Sequence, residues 1–412
     1  MVTLPYALGI SVADRSDGMT VSSRLVLMFP GFEPIPVGAH CRRFLREAAR
    51  TAPVYGVTLR PSEVVTEPPS EARLGTGSFF VKASGDSWAT ESEIVVYGLG
   101  ELSESYAARN PLARLAGGLV ALGDFIVTGT FFRYLSTGIR YGLFFIFPLL
   151  VLAGAAIAAW LGYLLGASFF TAAPQLAGWV LAAAAFLLVL VSATRRLHFL
   201  LVMDDWAFAR DLARGSRPDI EARFALLSAD VVGRVEASKA EEILFSGHSF
   251  GAIAAIMALA DSLKATEATS RAGLLSVGSS LLKIALHPAA KRLGNAVKTI
   301  VVTDSSWLDV QSVTDILNFY GTNPAELIAG RSGPNQNTTK VRFRNQMEPA
   351  NYRAIRRDFF RVHRQFVFAA ERRSHYSYHA ILCGPERFAE VVRRGGLSED
   401  WSGIAAAPVQ AK

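Results

Sequence analysis

Between Arg140 and Arg195 the chain carries no charged residue. Residues 141–166 are apolar throughout, and residues 175–194 are nearly so after Gln175. A helix crossing the hydrocarbon core needs about 20 such residues, and each segment supplies that length. The short link at residues 167–174 makes the pair a transmembrane hairpin, and Pro148 within the first span is a kink that bilayer helices tolerate. Arg133, Arg140, Arg195 and Arg196 flank the hairpin and its link has no charge, so both ends are expected on the cytoplasmic side of an inner membrane. A third apolar stretch, residues 115–132, is broken by Asp124 and four glycines. It is expected to lie in the interface as part of cap helices at 111–140.

Composition agrees with a lipid bilayer as partner. Mean hydropathy is +0.28, formal charge +7 and pI about 9.5. Basic balance with this hydropathy points to anionic head groups, and no aromatic-basic RNA motif or zinc-spaced cluster argues for nucleic acid or metal. Cys41 and Cys383 cannot form a disulfide framework. Residues 1–20 include Asp14, Arg15 and Asp17 and lack a long apolar core, so no signal peptide is expected there.

Outside the hairpin, short apolar runs alternate with helical spacing. Strands are expected at residues 24–29, 54–59, 79–82, 93–98, 243–245, 274–280, 307–312 and 366–368, and a helix at 41–49. Residues 205–214 and 218–239 have helical spacing too, and 297–302 fits a helix or a short strand. This alternation predicts an α/β fold with a mostly parallel sheet covered on both faces. If 93–98 and 243–245 belong to one sheet, an even number of crossings separates them, which favours two spans over three.

The run at 243–245 leads into Gly247-His248-Ser249-Phe250-Gly251 and then an apolar helix at 252–260. Strand, G-x-S-x-G and helix in that order is the setting of a nucleophile elbow. Gly247 and Gly251 are required there because side chains would collide with the adjoining strand and helix. A serine hydroxyl becomes nucleophilic only when a base takes its proton, and that base needs a carboxylate to hold its tautomer. On an open α/β sheet both partners lie beyond the carboxyl ends of later strands. Asp315, after the strand at 307–312, is the favoured acid, with Asp309 and Asp304 as rivals. His375, in a polar loop after the run at 366–368, is the favoured base, with His363 and His379 as competitors. His248 cannot readily turn back onto its neighbour. The oxyanion needs two N–H donors, expected from Phe250 and from Phe32 after the strand at 24–29.

Phe29-Pro30-Gly31-Phe32, Gly-His-Ser-Phe-Gly, Asp315 and His375 together resemble the α/β-hydrolase superfamily, loosely its lipase and esterase branches. The likeness covers residues 24–98 and 240–392. It implies Ser249 as nucleophile, Asp315 as acid and His375 as base, with no metal or organic cofactor. It departs from the family at Pro30-Gly31, where His-Gly is usual, and in the hairpin placed before the elbow strand. The expected organisation is a lead-in at 1–23, hydrolase segments at 24–110 and 195–404 enclosing the hairpin at 141–194, and a tail at 405–412. The expected activity is cleavage of an ester or thioester, with a lipid or acyl substrate favoured by location. An acyltransferase using the same triad and a non-catalytic scaffold are the alternatives. Arg353, Arg356, Arg357, Arg361, Arg364, Arg372 and Arg373 form either a solvated surface or a contact with head groups.

Overall fold

Strand β1 (Ser23–Phe29) is apolar at every position from Leu25 onward because it is buried on both faces, the signature of a central parallel strand. The computed structural model describes residues 20–170 and 172–398. Most of the expected lead-in and all of the expected tail lie outside that range. The remaining strands are β2 (Thr58–Pro61), β3 (Val65–Glu67), β4 (Gly75–Ser84), β5 (Ala89–Gly98), β6 (Glu242–His248), β7 (Ala272–Val277), β8 (Ser306–Ser312) and β9 (Gln336–Val341). They form one nine-stranded sheet in the order β2-β4-β5-β1-β6-β7-β8-β9, with β3 also on β4. From β5 to β9 every pairing is parallel, while β2, β3 and β4 add antiparallel strands at one side. Alternate residues feed two cores. Leu25, Leu27, Phe29, Ile243 and Phe245 face one, whereas Val26, Met28 and Leu244 face the other.

Helices cover both faces: α1 (Val37–Thr51), α2 (Gly100–Ala107), α3 (Pro111–Val127), α4 (Thr130–Thr137), α5 (Ile139–Phe169), α6 (Pro174–Leu197), α7 (Phe199–Arg214), α8 (Pro218–Ala237), α9 (Gly251–Ala265), α10 (Leu281–Ala285), α11 (Lys291–Val301) and α12 (Phe359–Arg364). Near the C-terminus, the fully buried Arg24 guanidinium binds Glu242 and donates to the carbonyls of Ile381, Leu382, Gly384 and Glu386. This locks the final segment beneath the sheet. So complete a set of acceptors is what makes a buried charge tolerable.

Helices α5 and α6, of 31 and 24 residues, are long and apolar enough to cross a membrane. They approach closely through small residues: a side chain at Gly162 would meet the Leu181 carbonyl oxygen at 2.7 Å, and one at Gly166 the Ala177 carbonyl oxygen at 2.4 Å. Leu150, Ile157, Trp160, Leu164, Trp179 and Leu188 point outward. The two ends of α5 differ. Tyr141, Phe144 and Phe145 are packed into the aromatic core around Trp206, Tyr134 and Phe125. Since a crossing uses about 20 residues, about ten at the start of α5 remain within the globular body. Pro148 sits at the change of surroundings and gives the Phe144 carbonyl no N–H to accept.

Because β5 and β6 both pair with β1, any membrane crossings made by the chain between them must be even in number. The stretch at 115–132 is α3 and the start of α4, divided at Gly129, whose φ is 76°. Its inner face is tight on α7, where a side chain at Gly118 would reach Met203 at 2.4 Å. Leu119, Val120, Val127 and Phe132 are exposed on its outer face.

Two strand expectations are corrected and one open alternative is decided. Residues 52–55 are a 3₁₀ turn and the strand begins at Thr58. Residues 297–302 are mostly helical, in α11. The run at 366–368 is not a strand: Gln365–Val367 is a 3₁₀ turn that drives Phe366 into the core. The last strand is instead β9, whose polar sequence QNTTKV gives no apolar signal at the sheet edge.

Candidate functional site

Ser249 is one of two non-glycine residues among those described with positive φ, at 57°. Such a conformation is costly for a residue with a side chain and must be held by its surroundings. The holding is local. Ser249 N–H donates to the Val277 carbonyl at 3.1 Å, and its own carbonyl accepts from Ser280 at 3.1 Å and Ala252 at 3.2 Å. Both flanking glycines are obligatory on steric grounds. A side chain on Gly251 would lie 1.8 Å from the Phe29 carbonyl oxygen, and one on Gly247 would lie 2.4 Å from Ala252 Cα. The loop after β1 abuts the same turn, since a side chain at Gly31 would meet Ser249 Cβ at 3.1 Å. Phe32 stacks on Phe208 and leans on Phe250, with ring centroids 5.0 and 5.8 Å apart. The expected oxyanion donors, Phe32 and Phe250, therefore flank the serine from two loops.

The site lies beyond the carboxyl ends of β1 and β6, where the chain, having built β2 to β5 on one side of β1, crosses to build β6 to β9 on the other. Open α/β sheets form their ligand crevices at such a switch point. A cavity of about 60 Å³ opens here, and Ser249, Ser280, Lys283, His248, His363 and Asp205 are among its lining residues. Its apolar side is built by Phe144 of α5, Leu201 and Val202 of α7, and Phe360 of α12. That volume holds a few waters, so a bulky substrate requires these aromatic walls to part.

The structure brings His363 to Asp315. Nδ1 of His363 and Oδ2 of Asp315 are 2.8 Å apart and both side chains are buried. The other Asp315 oxygen accepts from Leu317 N–H at 2.9 Å, which fixes the carboxylate plane. His363 carries no hydrogen bond at Nε2 from any described residue, and its ring borders the cavity with Ser249. The serine hydroxyl is turned toward Ser280 Oγ, 3.3 Å away. His248 Nε2 bonds the His363 carbonyl at 3.0 Å, so it braces the helix that carries His363. Burial, followed by the charge of the neighbouring His363, holds the His248 imidazole well below its ordinary range, so it stays neutral.

His375 is not at this site. It is exposed, and its carbonyl accepts from Leu397 N–H at 2.7 Å beside Gly396. The displacement follows from the misread strand: with β9 at Gln336–Val341 as the last strand, the residue beyond it that faces the crevice is His363. His379 packs 4.9 Å from the Phe44 ring in the opposite core, where burial lowers its pKa to about 3. Among the acids, Asp309 lies within β8 and accepts from Ser276 Oγ at 2.5 Å and Gln311 at 2.8 Å, stitching β7 to β8. Asp304 precedes β8, at the end of the strand away from the crevice.

Two cavity residues were invisible in the sequence pattern. Ser280 immediately precedes α10 and Lys283 lies on it, and the amine of Lys283 pairs with Asp205 and lies 4.0 Å from the Trp206 ring centroid. Among the described residues no group of histidine, cysteine and carboxylate side chains is arranged to hold a metal. Comparisons with family models, with curated proteins and with solved structures find no match.

Proposed function

We propose that this chain is a membrane-anchored serine hydrolase of α/β-hydrolase type, cleaving an ester or thioester through an acyl-enzyme. The observation that carries the reading is the strained Ser249 at the end of β6 sharing one cavity with an imidazole already oriented by Asp315. Support also comes from the sheet, in which the strand leading to the Gly31-Phe32 loop lies beside the elbow strand. Ser249, Asp315 and the expected oxyanion donors keep the roles read from the sequence, and His363 takes the role given there to His375.

In this reading Ser249 Oγ rotates from Ser280 toward His363 Nε2, a nucleophile–base contact of the kind that is often longer before substrate binds. The oxygen forms a bond to the acyl carbon as its proton passes to Nε2. The charge then on the imidazole is stabilised by Asp315 through Nδ1–H. The N–H groups of Phe250 and Phe32 would receive the developing oxyanion. Collapse breaks the bond to the leaving alcohol or thiol, which takes the proton from His363. Water, deprotonated by the same nitrogen, then releases the acid and restores Ser249. In this reading α5 and α6 anchor the body to the membrane as a hairpin, whose first and last residues lie on the cytoplasmic side.

A fluorophosphonate probe applied to detergent-extracted protein tests this. Wild type should be labelled, and Ser249→Ala should not. Folded wild-type protein that resists labelling would overturn the reading in favour of a scaffold.

A further inference from the structure

Next to the candidate catalytic cavity lies a second, more open cleft of about 340 Å³ with Arg50, Arg361 and Arg364 in its walls. Arg364 borders both spaces. The carboxylates in this cleft are already engaged. Glu47 is buried and accepts from Arg46 at 2.8 Å, Arg50 at 3.0 Å and the Ala369 N–H at 3.1 Å. Glu371 accepts from the Glu348 N–H at 2.6 Å and from Asn351 at 2.8 Å. Neither has reach to spare for the arginines of α12. Arg361 has no carboxylate partner among the described residues, and Arg364 donates Nε to the Phe360 carbonyl at 3.3 Å and has a 3.9 Å contact with Glu33, which is more closely held by Arg43 at 2.7 Å. Two guanidinium groups one helical turn apart thus present unused donors to a space of ligand size.

The cleft is also placed for a lipid-like molecule. Phe359, at the start of the helix bearing these arginines, packs against Phe144 and Phe147 of α5 at 5.8 Å each. Phe360 lines the catalytic cavity and touches His198, at the junction of α6 and α7. The arginine cleft is therefore beside the globular end of the apolar helix pair, and one helix, α12, supplies the candidate base, the cavity wall and both arginines.

We propose that this cleft binds a phosphate group, and that the substrate is an acyl ester or thioester bearing phosphate, with its acyl carbonyl at Ser249 and its phosphate on Arg361 and Arg364. Planar guanidinium groups bind phosphate oxygens in pairs. The identity of the bond cleaved rests on the hydrolase reading; the anion site does not.

Binding separates the two. Isothermal titration of glycerol 3-phosphate into folded Ser249→Ala protein should show saturable binding that weakens about tenfold in Ser249→Ala/Arg361→Gln and is largely recovered by Arg361→Lys. Equal binding in all three would overturn the site. Turnover is then compared for a monoacylglycerol phosphate and the matching uncharged monoacylglycerol. Wild type should prefer the phosphate ester, chiefly through KM, and Arg361→Gln should lose most of that preference. An unchanged preference, or none in wild type, would overturn the substrate assignment. The short-chain phosphate ester below its micellar concentration, and the long-chain one in vesicles, distinguish a free phosphate ester from a lipid head group. Arginine-dependent phosphate binding with neither ester cleaved and no probe labelling would leave the anion site standing and sink the hydrolase.

Discussion

The crevice end of the sheet and the helix pair α5–α6 solve close packing in opposite ways. At the crevice, glycines let backbone meet backbone so that one residue can be held strained: Gly251 lies under the Phe29 carbonyl and Ser249 sits at φ 57°. In the helix pair, Gly162, Gly166 and Gly178 also bring backbones together, but nothing is strained and large apolar side chains point outward. Tight contact serves positional accuracy in the first region and simple adhesion in the second, which suits helices apolar enough for lipid, where no hydrophobic drive would hold them together.

The largest expected effect tests the crevice half of that contrast. Gly251→Val forces a side chain into the β1 backbone, and the protein should fail to fold, read as loss of the cooperative unfolding transition and of probe labelling. Next, His363→Ala should lower esterase turnover by about a thousandfold or more while leaving the fold intact. His375→Ala, at an exposed position, should stay within about twofold by the same assay. A reversed result would move the site away from α12. Gly166→Leu in the helix pair should cost about 1–3 kcal/mol in detergent unfolding through overpacking. Residual labelling of the folded fraction should persist, whereas an effect as severe as that at Gly251 would erase the distinction.

The smallest effect concerns Asp309. Its burial pushes the carboxyl up to about 6 from an ordinary 3.8. The folded state therefore holds this proton more tightly than the unfolded chain. Its contribution is fully present below about pH 3.8 and is lost as pH rises through about 6. Asp309→Asn cannot ionise, so relative to wild type it should gain about 1–3 kcal/mol between pH 4 and 7 in urea unfolding. Parallel curves would show that Asp309 does not titrate in this window.

These differences also explain what the sequence made legible. The helix pair is written in composition, because excluding charge from so long a stretch leaves few other folds. The elbow is written in spacing, because steric crowding admits little besides glycine at 247 and 251. The partner histidine is written in neither. Its position depends on where the last strand lies, and β9 pairs at the edge with a polar sequence while Phe366, in an apolar run that looks like a strand, is a plug for the core. Arg24 was likewise silent: a charged residue at the head of a strand gives no hint that five acceptors wait for it.

In the proposed reading one rod, α5, would be both anchor and wall, with Phe144 facing the cavity and Pro148 removing the hydrogen bond that would stiffen the helix just there. A bilayer thinner or thicker than the apolar length makes a span tilt, and a tilt about that soft joint levers the aromatic ring against the chamber beneath it. In the proposed reading, membrane thickness would thereby act as a mechanical input to how wide the chamber stands.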